Sequence, residues 1–158
     1  MNKFTEVMNT IQLKKILDKL YSKKYDYHVV PIDKLHKIKQ KMNQIVIINF
    51  DRSDMIGSHW VLCVCREKKY VVYFDSFGVQ PPESILKFLR GYVKKHIVKD
   101  VVMTDKQVQT LKDGYCGLAI LKYLKEYILN HKEAYEAINL LSKKSIISYG
   151  KLLFRLYH

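Results

Sequence analysis

Leu13, Ile16, Leu17 and Leu20 recur at the spacing of one helical face, with Asn9 or Thr10 ahead of them as a cap. That pattern predicts an amphipathic helix over residues 10–22. Residues 23–44 mix apolar and charged positions around Pro31, and a short helix is expected near 35–41. Ile45 to Phe50 is a β-branched run too short for a helix of its own, and reads as a buried strand. His59 to Cys65 and Tyr70 to Phe74 read as two more strands, joined by the short polar turn Arg66-Glu67-Lys68-Lys69. Pro81-Pro82-Glu83 opens a helix whose apolar stripe is Ile85, Phe88, Leu89 and Tyr92. A fourth strand is expected over 98–103, an irregular polar stretch over 104–115, and a buried helix over 117–129. Two more helices follow, near 132–141 and 145–157. Neither a repeat nor a linker interrupts the pattern, so the expectation is one α+β domain spanning residues 1–158.

Composition narrows the function classes. The chain has 158 residues, of which 48% are hydrophobic, enough for one core. Residues 1–8 lack an apolar run, and no stretch approaches the ~18 apolar residues of a membrane span. Three cysteines, Cys63, Cys65 and Cys116, are an odd number and argue against a secreted disulfide framework. A soluble protein of a reducing compartment is therefore expected, with no membrane partner. Net charge is +13, from 28 Lys and Arg against 15 Asp and Glu. Only four of the basic residues are Arg, and the lysines are spread along the chain. The excess reads either as a solvated surface or as a sequence-independent, salt-sensitive affinity for nucleic acid.

Candidate chemistry lies in three segments: Gly57-Ser58-His59-Trp60, Tyr73-Phe74-Asp75-Ser76-Phe77-Gly78, and Gln109 through Gly114-Tyr115-Cys116-Gly117. Cys116 stands where an irregular loop meets an apolar helix. Unpaired backbone N–H groups and the positive end of the helix dipole favour thiolate there; the alternative is a small core cysteine. His59 lies eight residues before Glu67 and Asp75 eight after it. A turn centred on Glu67 would make them cross-strand partners on one face, with Cβ atoms ~4.5–5.5 Å apart. A loop of even length would separate them. Taken singly, His59 reads as a strand-end histidine and Asp75 as a turn cap. Taken together, the acid would fix the tautomer of an imidazole able to hold Cys116 as a thiolate–imidazolium pair. Gln109, seven residues before Cys116, is either a surface glutamine or an amide donor to an oxyanion beside the Cys116 N–H. Cys63 and Cys65 share the face of His59 and read as core residues. No set of ligands suits a metal.

These three segments, in this order over roughly residues 45–130, resemble the adenovirus maturation protease and its relatives, the SUMO-type ubiquitin-like-protein proteases. The resemblance implies a papain-like site in permuted order, with a small mixed sheet packed on a central helix that carries the nucleophile. It implies His59 as base, Asp75 as orienting acid, Cys116 as nucleophile and Gln109 in the oxyanion hole. Gly57, Ser58 and Trp60 are expected to contact substrate, Trp60 as one wall of a narrow cleft suited to Gly-type residues. The Gln–Cys spacing and the stretch Asp-Ser-Phe-Gly-Val-x-Pro-Pro are closer to the viral enzyme, although that enzyme has Glu where this chain has Asp75. The resemblance thus implies a viral endopeptidase of capsid precursors, acting as a monomer in the virion and the infected cell. A ubiquitin-like-protein deconjugase is the alternative within the family, and a non-enzymatic nucleic-acid-binding module the alternative outside it. No cofactor is needed for the chemistry. DNA, which stimulates the adenovirus enzyme, is an expected partner here because of the positive charge. That enzyme also tethers an activating peptide through a cysteine, a role that neither Cys63 nor Cys65 can be matched to.

Overall fold

The computed structural model describes residues 8–51, 59–109 and 114–157. Five strands form one mixed sheet in the order β1-β2-β3-β4-β5. They are β1 (Asp26–Pro31), β2 (Gln44–Asn49), β3 (Trp60–Arg66), β4 (Tyr70–Phe74) and β5 (Asp100–Met103). β2, β3 and β4 run antiparallel in succession, while β1 adds parallel to β2 and β5 parallel to β4.

Alternation along the inner strands splits the apolar residues between two layers. Ile45, Ile47, Leu62, Val64, Val72 and Phe74 face one side. There they pack against α1 (Thr10–Tyr21), α3 (Cys116–Leu124), α4 (Ala134–Asn139) and α5 (Lys143–Tyr157). Val46, Ile48, Val61, Cys63, Val71 and Tyr73 face the other side, under α2 (Glu83–Lys94) and a short 3-10 helix (Ile32–Lys37). With both faces covered, β2 is buried along its whole length, which is why its centre, Ile45 to Ile48, reads as an unbroken hydrophobic run.

α1 begins at a capping box, in which the Asn9 side chain accepts from Gln12 N at 2.8 Å and Gln12 returns the bond to Asn9 N at 2.9 Å. α2 begins after Pro82 and buries Ile85, Leu89 and Tyr92 of the expected stripe. The helix expected over 117–129 starts one residue earlier and changes pitch after Leu124 into a π-helical turn (Lys125–Leu129). That turn ends with Asn130 N donating to Lys125 O at 2.9 Å.

Three expectations are corrected. β1 occupies a stretch read as mixed: it is a parallel edge strand with Pro31 last, where a missing N–H costs no ladder bond. The short helix lies at Ile32–Lys37, starting directly after Pro31, instead of near 35–41. The β3–β4 hairpin is centred on Lys68, not Glu67: Arg66 pairs with Tyr70 and Cys63 with Tyr73. The loop is thus Glu67-Lys68-Lys69, with Glu67 in the left-handed region at φ 68°. An odd loop keeps the parity on which the His59–Asp75 argument rests, but moves the register by two residues.

Candidate active site

His59 and Asp75 each lie one residue outside their strands, His59 before β3 and Asp75 after β4. Carried past its last pair, the register would set Asp75 opposite Val61, so the two approach diagonally across the sheet end. His59 Nε2 meets Asp75 Oδ1 at 2.8 Å. The same oxygen accepts from Phe77 N at 2.9 Å, and Gly78 N closes the turn on Asp75 O at 2.8 Å. One carboxylate oxygen therefore realises both readings of Asp75, turn cap and histidine partner.

The imidazole is gripped on its faces as well as at its edge. Phe77 stacks on it with centroids 4.4 Å apart and planes at 20°, and Phe50 meets it edge-on at 5.2 Å. With Nε2 committed to Asp75, Nδ1 is the nitrogen left for Cys116, to which the ring is also hydrogen-bonded. Burial favours the neutral ring. The hydrogen bond to Asp75, then that to Cys116, and the charge of both outweigh it and raise the His59 pKa from 6.5 to about 9.

Cys116 is the first residue of α3, where its backbone N–H has no partner within the helix. Its Sγ accepts from Trp60 N at 3.4 Å. His59 just ahead of β3 and Trp60 at its first position thus present two groups to one sulfur, a ring and a main-chain N–H. The Trp60 indole lies in the core layer beneath α3 and donates Nε1 to Met8 O at 3.0 Å. Only 5% of the residue is exposed. The indole packs β3 against the start of α3 and leaves little of itself open to a substrate. Gly117 lets the N-terminal segment approach closely: a Cβ there would lie 3.1 Å from Met8 Cβ.

Gln109 is buried, not a surface residue. Its N–H donates to Ser76 O at 3.2 Å, beside Val108 N on the same carbonyl at 2.8 Å, and Gln107 Nε2 donates to Gln109 O at 3.0 Å. The turn that holds Asp75 therefore also holds the Gln109 backbone. Gln109 Oε1 is buried without a hydrogen-bond partner among the described residues. Gly57 and Ser58 lie outside the described residues. The sheet separates Cys63 and Cys65 from Cys116, and burial pushes both thiols up, Cys65 to about 11. Among the described residues no group of three or more His, Cys, Asp or Glu is placed to hold a metal. No helix among them is long and apolar enough to cross a membrane. Sequence reasoning assigned no role to Phe50 and Phe77. Phe77 stands inside the quoted Asp-Ser-Phe-Gly motif, and that position was the available signal.

The family model described as the Ulp1 protease family, C-terminal catalytic domain, matches residues 3–154. Two crystal structures of ASFV pS273R protease, one of them the selenomethionine form, are similar to the chain at 14% identity with a TM-score of 0.70. The alignments cover 94% of this chain and 69% of the selenomethionine form or 68% of the other. At that identity the likeness speaks for the fold. No curated protein sequence matches. A mixed sheet packed on a helix that opens with a cysteine, with a His–Asp pair at the sheet end, is the framework of a cysteine peptidase. The chain belongs to the Ulp1 protease family. The reading as a non-enzymatic binding module falls with that membership.

Proposed function

We propose that the protein is a viral endopeptidase of the adenovirus-maturation type, cutting capsid or other structural precursors next to small residues. The observation that carries the chemistry is the convergence of the His59 ring and the Trp60 N–H on Cys116 Sγ, with Asp75 on the far nitrogen of the ring. Cys116 Sγ attacks the scissile carbonyl carbon and forms the thioester while the C–N bond breaks. His59 gives its proton to the departing amine. It then takes one from water, whose oxygen attacks the thioester and releases the acid and the Cys116 thiolate, which restores the starting pair with protonated His59. The Cys116 N–H and the Gln109 side chain are the donors for the oxyanion in this reading.

The viral assignment is supported by the Gln109–Cys116 spacing and the Asp75–Pro82 stretch, and by the shared fold with ASFV pS273R protease. In this reading the protein works as a monomer in the virion and the infected cell. Its positive charge suits stimulation by DNA through phosphate contacts that salt weakens.

The test is to incubate purified protein with the structural proteins of its own genome, with and without DNA at low salt, and to map new termini. Cuts beside Gly-type residues are expected. Cys116→Ala or His59→Ala should lower the rate by at least about a thousandfold with the fold retained. Cleavage of a ubiquitin-like conjugate with no cut in any structural protein would favour the deconjugase instead. Equal rates with and without DNA would remove DNA as a partner.

A further inference from the structure

At the end of the sheet opposite Cys116 lies an open cleft of about 610 Å³. β3 runs from the active site at Trp60 to this cleft at Arg66. α3 and its π-helical turn run from Cys116 to the same place, where Ile128 and Leu129 line it. Twelve helical residues put the two sites roughly 18 Å apart.

Four cations line the cleft, Lys23, Lys24, Arg66 and Lys68, against the single carboxylate of Glu67. None of the four forms an ion pair among the described residues. Arg66 is held in place by donating Nη1 to Tyr127 O and to Lys132 O, the latter at 3.0 Å, with its guanidinium 4.0 Å over the Tyr127 ring. Those acceptors are neutral, so its charge stays uncompensated. An apolar part of the wall is formed by Leu20, Met42, Ile128 and Leu129, of which Met42 and Leu129 are exposed. Backbone strain gathers here too. Of the four non-glycine residues with positive φ among those described, three line this cleft: Asn43 at 55°, Glu67 at 68° and His131 at 54°. Strained backbone and π-helical turns both concentrate at functional sites.

We propose that this cleft is a docking site for an acidic peptide segment with a large apolar side chain. Carboxylates of the segment meet the lysines, which act as point charges, while the apolar side chain enters between Met42 and Leu129, where methionine adapts to its shape. Charge complementarity selects an anionic partner, and the aliphatic wall selects peptide over nucleic acid. A groove that holds the bases of a single strand offers exposed aromatic faces for stacking, whereas the tyrosines here, Tyr21 and Tyr25, are buried.

The test is fluorescence anisotropy of the whole chain with a labelled hexapeptide that carries two acidic residues on each side of Leu-Phe. Saturable binding is expected, weakening as salt rises. Serine in place of Leu-Phe should abolish it. Lys23→Glu with Lys24→Glu, both exposed positions away from the core, should weaken it by at least about tenfold. Absence of binding, or binding unchanged in the double variant, would overturn the proposal. So would displacement of the peptide by an equimolar 12-nucleotide single strand, which would mark the cleft as a nucleic-acid site.

Discussion

His59 carries the pH dependence of the site. Its folded pKa of about 9 lies above the ordinary 6.5. The stability it contributes is therefore complete below about 6.5 and is lost as pH rises through about 9. The thiolate–imidazolium pair needs the same proton, so the alkaline limb of kcat/KM is expected near pH 9. In Asp75→Asn the carboxylate charge that raises the imidazole is gone while burial still opposes protonation. Its alkaline limb should move toward neutral pH, with a rate loss of roughly a hundredfold or more. An unmoved limb in that variant would show that Asp75 does not set the protonation of His59. The meeting of His59 with Asp75 was legible in the sequence because motif and hairpin parity agree. Their diagonal approach was not, because the turn centre depends on Glu67 adopting a left-handed backbone, which a glutamate gives no reason to expect. The burial of Gln109 was also hidden, since its loop is polar and its anchor is the carbonyl of Ser76.

Among the elements, the turn after β4 is the hub. It holds Asp75 through Phe77 N and the Gln109 backbone through Ser76 O, next to β4's own hold on the chain just past β5, where Thr104 N donates to Tyr73 O at 3.0 Å. Gly78 makes it possible. It sits at φ 71°, and a Cβ there would lie 2.6 Å from Asp105 O and 2.9 Å from Gln107 N, both main-chain atoms. Gly78→Ala should destabilise the protein by roughly 1–3 kcal/mol, measured by thermal or denaturant unfolding. It should also lower kcat more than it raises KM, because the turn positions Asp75 and Gln109. A variant as stable and active as the parent would show that the loop yields freely. Strand β1 was missed for the converse reason: it has no alternation to read, and parallel pairing with β2 is a long-range fact that local pattern does not carry.

At the scale of the molecule, the sheet is a partition. Cys116 belongs to the layer with α1, α3, α4 and α5, while α2 closes the other. Ile85 is fully buried in that second layer. Ile85→Ala should cost about 2–5 kcal/mol of stability yet leave kcat/KM near the parental value at a temperature where both proteins are folded. Chemical denaturation and steady-state kinetics on one preparation check both halves, and a parallel fall in kcat/KM would mean that α2 supports the site across the sheet. The layered architecture was readable from the apolar strands and helix stripes. The allocation of helices to faces was not, because each stripe says only that a helix has a buried side.

The bond from Trp60 to sulfur has a consequence for redesign. An amide proton of the polypeptide backbone survives every substitution except proline, so repacking the ring at position 60 need not strip the sulfur of its donor. Because the imidazole springs from the preceding residue, a shift of this end of the sheet carries base and donor together.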